Sequence, residues 1–212
     1  MRIGILSDIH EAIIPLQNAL DLLERERVDR ILLLGDLFEV GKRLEETIAL
    51  LQPFKVIGVW GNHDWGLCGE VLPKIRARFS DSVFEFMQRL QPRIELENCF
   101  FQHIEPWLDP TDIQQLWGWF EPFDISERFQ KSFAAVADPR MFMGHLHRWF
   151  AATPEGILPW KGETPLDLKR HPRSLVVIHA VMMGYGAIYD TQSEILWPFT
   201  VPGAEDFVGE NR

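Results

Sequence analysis

Three short apolar runs near the start of the chain each break off into polar residues. Residues 2–6 end in Ser-Asp, residues 31–34 in Gly-Asp, and residues 56–60 in Gly-Asn-His-Asp. Between them Leu16, Ala19, Leu20 and Leu23 recur at the i, i+3, i+4, i+7 spacing of one helix face, and residues 44–51 carry a second helical pattern. A β-α-β-α-β beginning admits few architectures, chiefly parallel strands with helices packed on the sheet faces. Ligands of such sheets bind in the crevice outside the carboxyl ends of the strands. Asp8, Asp36, Asn62 and His63, which stand at three successive strand ends, are therefore expected to share one site.

The rest of the chain extends this pattern. Val83, Phe86, Met87 and Leu90 fit one helix face, residues 93–103 read as two short strands around a Glu-Asn turn, and residues 141–143 as another strand. Runs at 149–152, 174–179, 187–190 and 194–197, separated by Gly and Pro, predict an antiparallel second half. A single domain over residues 1–200 is expected, interrupted by the aromatic-rich insertion 105–123 and followed by a patternless tail, 201–212.

Composition narrows the function. The net charge of −10 speaks against a protein that neutralises nucleic-acid phosphates. Cys68 and Cys99 are far apart and form no CxxC pattern, so neither a disulfide framework nor a thiolate metal site is indicated. The richest apolar segment, 174–189, is broken by His179 and by glycines, and the N-terminal run is too short for a secretory signal. A cytoplasmic protein that does not span a membrane is expected.

Five of the seven histidines fall in short polar motifs: His10 in SDIH, His63 in GNHD, His103 in FFQHI, and His145 and His147 in GHLH. On an extended segment His145 and His147 would point the same way, about 6.6 Å apart at Cα, and reach one ion or two neighbouring ones. Two divalent ions about 3.5–4 Å apart clamp the attacking and leaving oxygens of a displacement at phosphorus, and such a pair needs mixed carboxylate, amide and imidazole ligands.

In this order the motifs D-x-H, G-D, G-N-H-D, a lone His and G-H-x-H resemble those of the calcineurin-like metallophosphoesterases, over most of the chain. The resemblance implies an αββα sandwich of two mixed β-sheets flanked by helices. It implies two divalent transition-metal ions, manganese first and iron, zinc, nickel or cobalt as alternatives. Asp8, His10 and His147 would hold one ion, Asn62, His103 and His145 the other, and Asp36 would bridge them. His103 is the only histidine between His63 and His145. The implied reaction is hydrolysis of a phosphoric ester, monoester or diester, by a hydroxide shared between the ions, with His63 assisting the leaving oxygen as the catalytic residue. Both ions, the two aspartates and the hydroxide sum to a site charge of about +1, which attracts a phosphate ester, a nucleotide among the candidates, despite the acidic chain.

Glu39, three residues after Asp36, is expected to orient His63, and Asp64 to cap a turn beside it. The phosphoprotein phosphatase branch reads G-D-x-V-D-R-G, whereas this chain has GDLFEVG, with Val40 in place of the phosphate-gripping arginine. Lys42, Arg43 and Arg148 are candidates for that task. His179, Ala180 and Val181 stand where small bacterial members carry Asn-Pro-Gly-Ser. His171 is expected in a solvated basic loop and His179 as a structural strand end. Three tryptophans in 105–123 suggest a lid or substrate wall, or a subunit contact. Two rival readings are a binding scaffold of this fold without activity and a mononuclear zinc hydrolase.

Overall fold

A computed structural model describes residues 1–117 and 124–204 of the 212-residue chain. Among the described residues, twelve strands form two six-stranded sheets. The first has the order β3-β2-β1-β11-β12-β9 and the second β4-β5-β6-β10-β7-β8. The strands of the first are β1 (Arg2–Leu6), β2 (Arg30–Leu34), β3 (Val56–Val59), β9 (Leu166–Asp167), β11 (Tyr185–Asp190) and β12 (Ile195–Thr200). The second contains β4 (Ile94–Leu96), β5 (Cys99–Phe101), β6 (Arg140–Met143), β7 (Phe150–Thr153), β8 (Gly156–Ile157) and β10 (Ser174–Val177).

Alternation along the strands divides the core into layers. In β1, Ile3 and Ile5 face the second sheet, whereas Leu6 joins Leu16, Leu20 and Leu23 of α1 (Ile13–Arg25). In β2, Leu32 and Leu34 point inward and Ile31 and Leu33 outward. The outer layer over the first sheet is completed by α2 (Leu44–Leu51), by the single turns α3 (Trp65–Cys68) and α4 (Pro73–Arg76), and by α5 (Asp81–Met87). The second sheet is covered by Phe129 and Phe133 of α7 (Ile125–Ala135), which follows the single turn α6 (Ile113–Leu116). The architecture is the αββα sandwich the motifs imply.

Both sheets are mixed. Strands β1, β2 and β3 run parallel in register, as the opening pattern predicts. The second half departs from the expected antiparallel arrangement at one place, where β10 pairs with β6 in parallel. The connection between them is long enough to turn back, because it contains β7, β8 and β9. No helix among the described residues is long and apolar enough to cross a membrane. The tail beyond residue 204 and residues 118–123 of the insertion lie outside the described residues.

Candidate metal centre

The carboxyl ends of β1, β2 and β3 and the loops after β5 and β6 meet at one place. Asp8 and His10 follow β1, Asp36 follows β2, and Asn62 and His63 follow β3. His103 follows β5, while His145 and His147 follow β6. Each sheet thus supplies part of one cluster. Asp8, His10 and His147 have ligand atoms within 4.8 Å of one another, as do Asp36, His103 and His145, and also His10, Asp36 and His63. Asn62 Oδ1 lies 3.0 Å from His103 Nε2 and 3.1 Å from His145 Nδ1, and thereby joins the second group.

The backbone is bent to make this possible. Asp8, His10, Asp36, His145 and His147 all have positive φ, between 47° and 67°. His145 and His147 therefore do not alternate on an extended segment, as their spacing suggests, but converge through a left-handed turn. Each such residue costs about 1 kcal/mol or more and persists where its surroundings over-determine it, which is common at functional sites. Two glycines admit the close approach. A Cβ on Gly61 would stand 2.0 Å from Asp36 Oδ1, and one on Gly144 would stand 1.9 Å from Ser7 Oγ.

The donor set fits cations. His103 Nδ1 donates to the Leu34 carbonyl at 2.6 Å, so its Nε2 is the nitrogen turned inward, with a lone pair for a cation once its proton is lost. There it meets Asn62 Oδ1 and, at 3.3 Å, Asp36 Oδ2. His10 Nδ1 likewise donates to Glu39 Oε2 at 2.8 Å, leaving its Nε2 facing His147 Nε2 at 3.3 Å and Asp36 Oδ2 at 3.7 Å. Buried lone pairs aimed at one another repel unless positive charge lies among them.

Titration directions record the same need. Burial alone would keep the His103 imidazole neutral, but the charge and hydrogen bond of Asp36, with Asp8 adding, push its pKa up to about 10. Burial would likewise raise Asp36, yet His103, His10 and His63 hold it well below the usual carboxylate range. Asp8 is lowered against its burial by the hydrogen bond from His147 and the charge of His103. His145 goes the other way, lowered to about 4 by burial and by the neighbouring His103.

Asp64 organises the loops rather than the centre. Its buried carboxylate accepts the backbone N–H groups of Gly61, Asp36, Leu37 and Phe38 at 2.8–3.0 Å, stitching the loop after β2 to the loop after β3. Burial and the charge of Asp36 raise its pKa to about 6. His63 is held by its backbone N–H, which donates to Asp36 Oδ1 at 2.9 Å. Its ring packs edge-on against His10 at 4.8 Å and beside Trp117 at 5.3 Å. Glu39 is closer to His10 than to His63, whose Nδ1 is 3.6 Å away, because the imidazole of His10 lies between the carboxylate and the centre.

Two contributors have no motif in the sequence. Glu11, only 5% exposed, accepts the backbone N–H groups of Glu39, Gly41 and Arg43 and so shapes the loop that presents Glu39. Ser7 donates its hydroxyl to Asp8 Oδ2 at 2.5 Å. Their position beside Asp8 and His10 in the run S-D-I-H-E was the one available signal.

Of the insertion, Trp107 takes a cation–π contact from Lys131 and Trp117 stands at His63, while Trp119 lies outside the described residues. Trp60 and Trp65 pack with Ile104, Leu108 and Leu116, and Trp149 lies in the core between the sheets. Lys42 and Arg43 follow the Glu39 loop, and Arg43 pairs with Glu46. His171 is half-buried at the end of a short 3-10 turn, and its carbonyl accepts from Arg140.

Comparison with known proteins agrees with the geometry. The calcineurin-like phosphoesterase superfamily domain matches residues 1–179. A metallophosphoesterase from Sphaerobacter thermophilus superimposes with a TM-score of 0.76 at 22% identity, over 99% of this chain and 94% of that one. A novel archaeal phosphodiesterase gives 0.55 at 17% identity, over 95% and 100% of the two chains. An uncharacterised protein of Methanocaldococcus jannaschii is 23% identical over 185 residues, 78% of this chain and 70% of the relative. With the family match spanning both strand-end clusters and the fold shared, the chain belongs to the calcineurin-like phosphoesterase superfamily and is a phosphoesterase by family.

Proposed function

We propose that this chain hydrolyses phosphoric esters at a centre for two divalent transition-metal ions. Asp8, His10 and His147 would hold one, Asn62, His103 and His145 the other, and Asp36 stands between the groups. The carrying observation is the pair of inward ring nitrogens, His103 Nε2 and His10 Nε2, each set by a hydrogen bond at the opposite ring nitrogen and each facing an oxygen of Asp36. Bound there, the ions supply positive charge on the phosphoryl oxygens and lower the pKa of water to near neutrality. Manganese is the first candidate and iron, zinc, nickel and cobalt follow, since imidazole and carboxylate ligands suit this group.

The chain's own residues do the rest. Asp36 fixes the His63 backbone, burial lowers the His63 pKa, and among the described residues the ring makes no tight hydrogen bond, ready to hold a proton for the departing oxygen. Glu39 keeps the tautomer of His10, as partners of ligating histidines generally do. Trp117 walls the His63 end. The unpaired buried cysteines Cys68 and Cys99 support a reducing, cytoplasmic setting.

The test combines metal analysis with turnover. Protein loaded with manganese is expected to bind two ions per chain and to hydrolyse p-nitrophenyl phosphate or its bis-ester. His63→Ala is expected to keep both ions and lose turnover mainly with poor leaving groups. One ion per chain at full activity sinks the dinuclear reading, and silence with all five metals and all substrates returns the chain to a binding scaffold.

A further inference from the structure

Four aromatic rings form a row across the centre. Trp117 lies 5.3 Å from His63, His63 4.8 Å from His10, and His10 5.1 Å from His147. At the far end, immediately after His147, a cavity of about 630 Å3 opens, lined by Arg148, Trp149, Leu158, Lys161, His179 and Tyr185. Its back wall is tied to the centre, because Val181 N–H donates to the Ser7 carbonyl at 2.8 Å and Met182 N–H to that of Asp8 at 3.2 Å.

The lining is built for a flat ring. His179 and Tyr185 are stacked, with centroids 4.1 Å apart and planes at 21°, and Trp149 stands edge-on to both at 6.2 and 6.5 Å. Ala180 N–H donates to His179 Nδ1 at 2.8 Å and fixes the imidazole. Burial, with the charge of His147 adding, lowers the His179 pKa to about 4, so the imidazole is neutral at physiological pH. Arg148 and Lys161 are exposed cations with no ion-pair partner among the described residues. Glu163 is turned toward its own loop, where it accepts the Lys161 backbone N–H.

We propose that this cavity receives the ester substituent that stays on phosphorus, so that the substrate is a phosphodiester whose retained arm carries a nucleoside. The inference rests on the proposed hydrolysis at the metal centre. If His63 serves the departing oxygen, the departing group lies at the Trp117 end of the row, and the other substituent of phosphorus is left to the His147 end. A volume of this size falls in the range of small-molecule sites, and bases stack on aromatic side chains whatever their sequence identity. Arg148, exposed at the rim, offers a planar guanidinium that stacks on flat rings and donates hydrogen bonds to a base or sugar. In the step itself, water adds its oxygen to phosphorus and the bond from phosphorus to the alcohol oxygen at His63 breaks. The alcohol leaves with the proton, and a nucleoside phosphomonoester remains.

Two substrates with the same leaving group and the same charge test this: thymidine 5′-(p-nitrophenyl phosphate) and ethyl p-nitrophenyl phosphate. The metal-loaded protein is expected to favour the thymidine ester by about tenfold or more in kcat/KM, the size of one stacking contact. Tyr185→Ala is expected to bring that ratio near one, and Arg148→Ala, at an exposed position, to lower it severalfold without affecting folding. Thymidine 5′-phosphate, titrated calorimetrically into metal-free protein, is expected to bind saturably and more weakly to Tyr185→Ala. A ratio near one in the parent protein, with both esters turned over, overturns the inference and leaves the hydrolase reading standing. A high ratio that neither variant changes also overturns it. No turnover of either ester, nor of p-nitrophenyl phosphate, removes the hydrolase reading and this inference with it.

Discussion

Glu39 Oε2 accepts a 2.8 Å hydrogen bond from His10 Nδ1, and that hydrogen bond is the largest cause of a Glu39 pKa below the usual carboxylate range. The carboxylate therefore acts on the centre through His10, whose opposite nitrogen faces His147 and Asp36. Glu39→Gln is expected to weaken metal binding by about 10- to 100-fold, the usual effect of removing the partner of a ligating histidine. Competition titration with a chelating dye measures it, and unchanged affinity would place Glu39 with His63 instead.

The raised pKa of His103 makes the metal-free protein sensitive to alkali. With a folded value of about 10 against an ordinary 6.5, its contribution to stability is complete below pH 6.5 and is lost as pH rises toward 10. Urea midpoints of the metal-free protein are expected to fall steadily from pH 6.5 to 8.5, and the metal-loaded protein is expected to lose that slope, because the ions replace the proton. Calorimetry in buffers of different ionisation enthalpy should register the proton released on metal binding. A flat profile without metal contradicts the proposed electrostatics.

Gly144 has no room for a side chain beside Ser7 and Asp8. Gly144→Ala is expected to destabilise the fold by about 1–3 kcal/mol, the common cost of overpacking. Adding Ser7→Ala removes the nearest atom and should restore part of the loss in a denaturant titration. Failure of the double variant to recover anything would mean that the backbone, not Ser7, sets the limit.

Glu11 tests how far a loop can matter to a metal site it does not touch. Removing its carboxylate orphans three backbone N–H groups, each worth about 1 kcal/mol or more when left unsatisfied. Glu11→Ala is expected to lower both the urea midpoint and metal affinity, and Glu11→Gln, which keeps one acceptor oxygen, to fall between. Loss of stability with metal affinity intact would separate this loop from the centre.

What could be read from the sequence was local. Asp8, Asp36 and the pair Asn62-His63 stand out because each follows an apolar run directly, and residues 44–51 show their helix by spacing alone. The parallel pairing of β10 with β6 was not legible, since it is decided by packing between strands more than thirty residues apart in sequence. Nor were the left-handed conformations of five clustered polar residues, which no preference of Asp or His dictates and which only the surrounding loops enforce. Glu11 was hidden for a related reason. Its partners are backbone amides about thirty positions away, and backbone amides leave no mark in a sequence. His179 reads as a structural strand end, and only the turn that follows it brings its ring against that of Tyr185.

The pairing of β1 with β11 has a consequence for synthesis. β1 precedes every other described strand in synthesis and has β11 as its antiparallel neighbour, and the turn that anchors the loop of Ser7 and Asp8 comes from residues 181 and 182. A chain emerging from the ribosome at about 5–20 residues per second can form β1, β2 and β3 early, with Asp8 N–H already on the Gly35 carbonyl, yet the turn that closes over the Ser7 and Asp8 carbonyls arrives only with residues 181 and 182. All seven candidate ligands are already exposed by residue 147. For those last seconds the nascent chain carries a full set of metal-binding side chains on an unfinished frame, open to whichever ion arrives first.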